Sequence, residues 1–184
     1  SIPPQFTPAL YMLKRKCLAL CLGVALCGPD FSEPLLNEAS AATWERAVTP
    51  DPTGDRLSAG PGWFEADFDG PGWTDGALPF SFATGPQQAD LNSRMKRVTP
   101  TVYLRHEFQI TAPQASSSGN VALNVSARDG YLIFINGIEV ARADLGAPGS
   151  WVFHDQRAHF SRGQTTDTLN LGPASALLQP GTNL

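Results

Sequence analysis

ARDGYLIFINGIEVAR, residues Ala127 to Arg142, decides the fold. Two runs of strand-forming residues, Tyr131–Ile135 and Ile138–Arg142, are joined by Asn136-Gly137. Asn-Gly between apolar runs marks a two-residue type I′ hairpin, because that turn needs positive φ at both central residues. Asp129-Gly130 is a second turn dipeptide just upstream. The stretch predicts antiparallel β structure, with the hairpin in the middle of its sheet.

The neighbouring chain alternates in the same way. Val102 to Ile110 reads as one strand, with Val102, Leu104, His106, Phe108 and Ile110 on one face. Tyr103, Arg105, Glu107 and Gln109 share the other, more polar face, where exposure is expected. Thr111 to Asn120 reads as a Ser/Gly/Pro linker. Val121, Leu123, Val125 and Ala127 point inward, Asn124 and Ser126 outward. Trp151–Phe153 and Ala158–Phe160 fit short strands, and Thr166 to Leu171 alternates again. Pro173 to Leu178 reads as one helical turn with proline first. Thr182-Asn183-Leu184 resembles the start of another strand. Short strands at this spacing, without a long amphipathic helix, predict an all-β antiparallel sandwich. A missing last strand would leave an open edge, so the 184 residues are expected to be an N-terminal fragment.

The earlier chain is less regular. Glu38 to Val48 fits either a short helix or a first strand. Gly-Pro-Gly-Trp occurs at Gly60–Trp63 and again at Gly70–Trp73, two copies that are too few for a solenoid. Trp63, Phe64, Phe68 and Trp73 make this segment an ordered loop that plugs the core with aromatic area.

Met12 is followed by Lys14, Arg15 and Lys16 and by an apolar run from Leu18 to Leu26. This is the pattern of a secretory signal, too short to span a bilayer, with cleavage expected after Cys27. Lipid attachment at Cys27 would call for a small residue where Leu26 stands, which disfavours it. Residues 1–11 read as upstream or non-native sequence, 12–27 as the signal, 28–43 as a lead-in and 44–184 as the domain. All three cysteines fall in the signal, so about 157 mature residues must be held by a hydrophobic core without disulfides.

Removing Lys14, Arg15 and Lys16 leaves 10 of the 13 basic residues against 17 acidic ones, a net charge of −7. That balance argues against nucleic acid and against anionic membrane surfaces. It suits neutral polymers such as polysaccharides.

VYLRHEFQI at Val102–Ile110, LNVSARDGYLIFINGIEVAR at Leu123–Arg142 and PASALLQPGTNL at Pro173–Leu184 together resemble the galactose-binding-like jelly-roll modules of secreted bacterial multidomain proteins. The features carrying the resemblance are Tyr103-x-Arg105-x-x-Phe108, Asp129-Gly130 before an aliphatic strand, the Asn136-Gly137 turn and the closing Leu178-x-Pro180-Gly181-x-Asn183. Trp63, Phe68-Asp69, Trp73 and Leu78-Pro79 match the opening of such modules. The Tyr103-x-Arg105 and Asn136-Gly137-x-x-Val140 elements are also similar to the sugar-binding domain of β-galactosidase-type hydrolases. The resemblance spans roughly Trp44 to Leu184 and lacks the pattern's last strand. It implies a jelly roll and a non-catalytic accessory module attached to a hydrolase, a metallophosphatase or a cell-surface repeat protein.

Trp63, Trp73, Tyr103 and Trp151 could stack on the apolar face of a sugar ring, with Arg105 supplying a polar edge. Core plugging is the competing role for Trp63 and Trp73, and cross-strand pairing for Tyr103 and Arg105. Asp67, Asp69 and Asp75 in a glycine-rich loop are candidate ligands of a structural Ca²⁺, beside the plainer reading of a solvated acidic loop. His154, Asp155 and His159 lack metal-site spacing, and His106 reads as a core histidine. There is no Gly-x-Ser-x-Gly elbow and no mature cysteine, so no catalytic residues are expected. Three functions follow: a carbohydrate- or polymer-binding module, a domain that packs on a catalytic neighbour, or a non-catalytic part of a larger hydrolase. Any site is expected in loops away from the hairpin.

Overall fold

Among the described residues, runs of alternating apolar and polar residues such as Val121–Ala127 become strands. The structure, a computed structural model, describes residues 100–184 apart from 154 and 164, and the backbone of four earlier strands. These are β1 (Leu10–Lys14), β2 (Leu22–Cys27), β3 (Ala41–Arg46) and β4 (Thr74–Ala77). The strands that follow are β5 (Thr101–Arg105), β6 (Phe108–Ile110), β7 (Asn120–Ala127), β8 (Gly130–Ile135), β9 (Ile138–Ala143), β10 (Thr165–Pro173) and β11 (Gly181–Asn183). Two single-turn helices, α1 (Ala112–Ala115) and α2 (Ala174–Leu177), lie between them.

The protein is all-β with antiparallel sheets. Among the described residues one sheet runs β4-β3-β5-β1-β8-β9, a second β10-β7-β2, and β11 pairs with β6. Segment 38–48, open between helix and strand from sequence, contains strand β3. β1 and β2 lie largely in the stretch that reads as an export signal.

The Asn136-Gly137 turn forms as expected. Ile135 pairs with Ile138, and φ is 50° at Asn136 and 80° at Gly137. The hairpin is not in the middle of its sheet, however: among the described residues β9 is an edge strand. Beside Ile133 and Phe134 the register shifts, so that Val140 is an extra residue on β9. A bulge of this kind reverses the in-out alternation beyond it.

The single strand expected over Val102–Ile110 is two. β5 joins the large sheet and β6 pairs with β11, with His106-Glu107 between them. Alternation survives such a corner, so the sequence does not reveal it. His106 is 1% exposed, as a core histidine should be. The linker expected over 111–120 contains α1. Its Thr111 hydroxyl accepts from the Gln114 amide at 3.4 Å, and Gln114 Oε1 accepts from the Thr111 amide at 3.0 Å. This reciprocal capping was legible as Thr-x-x-Gln. In α2, Pro173 is the cap (φ −68°, ψ 143°) and not the first helical residue.

The core draws on all three sheets. Val102 and Leu104 from β5, Phe108 and Ile110 from β6, Val121, Leu123, Val125 and Ala127 from β7, and Tyr131, Ile133 and Ile135 from β8 form one buried cluster. The inward set expected for β7 is therefore the observed one. Ser126, expected outward, is also buried and pairs with Thr166 on β10.

Candidate ligand-binding loop

The loop of residues 144–163, between β9 and β10, is built from arginine chemistry. Arg142 on β9 uses all five of its N–H groups. Nε donates to Glu139 Oε1 at 2.8 Å and one terminal nitrogen to Glu139 Oε2 at 2.7 Å. The terminal nitrogens also donate to the Leu145 carbonyl at 2.9 Å, the Ser150 carbonyl at 2.8 Å and Ser150 Oγ at 3.1 Å. Gly149 N–H adds a bond to Glu139 Oε2 at 3.1 Å. Glu139 and Arg142 are three apart and would face opposite ways on a regular strand. The extra residue Val140 brings them to one side, while Val140 and Ala141 pack against the core. The Arg142 guanidinium holds the Glu139 carboxyl below its ordinary pKa.

The far end of the loop is tied by Arg162. Its guanidinium makes a bidentate pair with Asp167 on β10, and its Nε lies 3.1 Å from Asp144 Oδ2. The Tyr131 hydroxyl donates to the same Asp167 at 2.7 Å, and Arg162 lies over the Tyr131 ring, 5.7 Å from its centre. Pairing with Arg162 lowers the pKa of Asp167. Burial, then the hydrogen bond to Asp167, raises that of Tyr131. The His159 amide donates to the Asp144 carbonyl at 2.9 Å, and the Arg162 amide to the Arg128 carbonyl at 2.8 Å.

Between these ties the loop turns aromatic residues outward. Trp151 is 49% exposed and Phe153 43%, with Val152 buried between them. Phe160 is 73% exposed. The short strands expected at Trp151–Phe153 and Ala158–Phe160 are absent. The backbone there is held by side chains and by a turn in which the Gln156 amide donates to the Phe153 carbonyl at 3.0 Å.

Of the residues singled out from sequence, Trp151 is on this surface. Tyr103 and Arg105 are not: they are 2% and 6% exposed, against the expectation of an exposed polar face. β5 is flanked by β3 and β1 and buried on both faces, and both side chains are engaged within the protein. Trp63, Trp73, Asp67 and Asp69 lie outside the described residues. So does the Asp75 side chain, although its backbone belongs to β4. Among the described residues no group of three His, Cys, Asp or Glu side chains could hold a metal ion. No described helix is long and apolar enough to cross a membrane.

Phe153, Phe160, Glu139 and Arg142 were missed. The alternation Trp-Val-Phe was visible, but it reads equally as a strand. The Glu139–Arg142 brace depends on the bulge, which leaves no mark in the sequence. Nor is the loop away from the hairpin, since β9 supplies its brace.

No family model matches the chain, and neither does any curated protein or solved structure.

Proposed function

We propose that the chain is a non-catalytic extracellular accessory module, a jelly-roll sandwich, that binds carbohydrate or another neutral extracellular polymer for a larger secreted protein. The observation that carries this is the outward pair Trp151 and Phe153 on a loop fixed by Arg142. Rigid, half-exposed aromatic rings offer apolar faces to sugar rings, and a braced loop loses little entropy on binding. Asp155 and Arg157, exposed on the same loop, offer polar groups to hydroxyls. The acidic balance of the mature chain favours an uncharged polymer. In this reading the protein is exported to the periplasm, cell surface or medium, with Met12–Cys27 as its signal.

Electrophoresis through gels containing soluble xylan, galactan or β-glucan tests this. Retardation by at least one of them, abolished in Trp151→Ala and weakened in Phe153→Ala with melting unchanged, is the expected result. No retardation in any gel, or retardation that survives Trp151→Ala, sinks it.

Phe160, 73% exposed, favours a second reading: an interaction surface for a hydrolase or metallophosphatase domain of the same protein. Binding to such a neighbour that is lost in Phe160→Ser but kept in Trp151→Ala would select it.

A further inference from the structure

Asn-Gly occurs once in the chain, at Asn136-Gly137, and it carries a reaction as well as a turn. Glycine leaves its own backbone nitrogen unshielded, so that nitrogen can attack the Cγ of a preceding asparagine. The bond from Gly137 N to Asn136 Cγ forms and the Cγ–Nδ2 bond breaks. Nδ2 leaves as ammonia with the proton of the Gly137 amide. Water then opens the cyclic imide on either side of its nitrogen, which gives aspartate or isoaspartate.

In this fold the reacting carboxamide is held at both of its polar atoms. Nδ2 donates to the Leu177 carbonyl at 3.0 Å and to Asn183 Oδ1 at 2.9 Å. Oδ1 accepts from the Leu184 amide at 2.9 Å, and the Asn136 amide donates to the Leu184 carbonyl at 2.8 Å. Every one of these partners lies in segment 177–184, more than forty residues along the chain. Asn183 is itself fixed. Its Nδ2 donates to the Gln179 and Gly181 carbonyls at 2.7 and 3.1 Å, and its Oδ1 also accepts from the Gln179 amide at 2.8 Å. Attack on Cγ requires the carboxamide plane to turn toward Gly137, and the three side-chain bonds of Asn136 oppose that rotation. The Leu184 amide polarises the Cγ carbonyl, but the rotation that brings Cγ into reach also breaks this bond.

We infer that Asn136 is a site of spontaneous deamidation gated by the docking of segment 177–184, and that its conversion undocks that segment irreversibly. An aspartate at this position keeps the bond from the Leu184 amide. It sets a carboxylate oxygen against the Leu177 carbonyl and Asn183 Oδ1, where a donor stood. Isoaspartate adds a backbone methylene inside a two-residue turn that holds Ile135 opposite Ile138. Either product loosens β11 from β6 and draws on Ala174 and Leu178, which are members of the core. The rate of conversion thus records how often the segment opens.

Ageing the full chain in mildly alkaline buffer, folded and in urea, tests the inference. The tryptic peptide Asp129–Arg142, whose one asparagine is Asn136, is followed by mass and by isoaspartate content. Deamidation should be slower in the folded chain by about tenfold or more. Asn183→Ala leaves the Asn-Gly step intact and should recover much of the unfolded rate while the β7 amides stay protected. If that variant does not fold, urea below the unfolding transition replaces it, and the rate should rise together with exchange of the Leu184 amide. A folded rate equal to the unfolded one, or one that neither perturbation raises, overturns the gate. The deamidated fraction, separated by its added negative charge, should exchange faster at residues 177–184 and melt about 5 °C lower. Exchange and melting like those of the parent would overturn the undocking.

Discussion

The hairpin turn at Asn136-Gly137 and the loop of residues 144–163 flank one strand, β9, and solve opposite problems. The turn directs its polar groups inward. Asn136 Nδ2 donates to the Leu177 carbonyl at 3.0 Å and to Asn183 Oδ1 at 2.9 Å, while its backbone and Oδ1 hold Leu184. The loop also holds its backbone by polar bonds, through Arg142 and Arg162, but it leaves Trp151, Phe153 and Phe160 in solvent. The turn thus uses its order to join distant parts of the chain, whereas the loop uses its order to present a surface. The polar frame around exposed aromatics is the feature on which the proposed binding role rests.

The loop meets the base of the hairpin, at the end away from the turn, at Gly130, and the largest effect is expected there. A Cβ at Gly130 would sit 2.8 Å from the Ala143 carbonyl oxygen and 2.9 Å from Leu145 Cγ. Backbone cannot yield as a side-chain tip can. Gly130→Val should cost about 3 kcal/mol or more in urea unfolding, from overpacking and lost hairpin–loop contact. A cost below about 1 kcal/mol would mean that the loop does not depend on the hairpin.

Arg142→Ala separates them next. It leaves a partly buried Glu139 and two carbonyls without their donor, at about 2–3 kcal/mol. Trypsin should then cut faster at Arg157, while the Asn136-Gly137 turn keeps its amide protection. Unchanged cleavage at Arg157 would show that the loop is held by something other than Arg142.

The turn has its own pair of variants. Gly137→Val forces positive φ on a β-branched residue and should cost about 1–3 kcal/mol. Asn136→Gly keeps the backbone geometry and removes the side-chain bonds, so a cost of about 1–2 kcal/mol measures the clamp on Leu177 and Leu184. If Asn136→Gly melts like the parent, the turn is local and the clamp contributes nothing.

The smallest effect is in acid. Arg142 and Arg162 hold Glu139 and Asp167 below their ordinary pKa values of 4.5 and 3.8. A carboxylate lowered in the folded state adds stability that is complete above its unfolded pKa and is lost as pH falls toward its folded one. Stability should therefore be flat near neutrality and decline below about pH 4.5. Glu139→Gln should be less stable at pH 7 and show a shallower decline in acid. An unchanged slope would remove Glu139 from the loop's frame.

Local chemistry was legible. Asn-Gly demands positive φ at adjacent residues, and both residues have it. The alternation of β7 named its inward side chains, and the last residues announced β11. The places where the sequence misled are those where one residue changes parity or sheet: Val140, which turns Glu139 toward Arg142, and His106-Glu107, which divides β5 from β6. Tyr103 and Arg105 read as an exposed face because alternation reports one covered face and is silent about a second.

By itself, then, the sequence determined the class of structure, the hairpin and most of the inward side chains, because backbone preference and apolar period act over a few residues. Only the tertiary structure decided which strands are neighbours, that the aromatic loop is braced from β9, and that the hairpin turn holds Leu184. Those depend on bulges, on pairings over more than forty residues such as Asn136 with Leu184, and on charge-assisted bonds that exist only once the sheets have assembled.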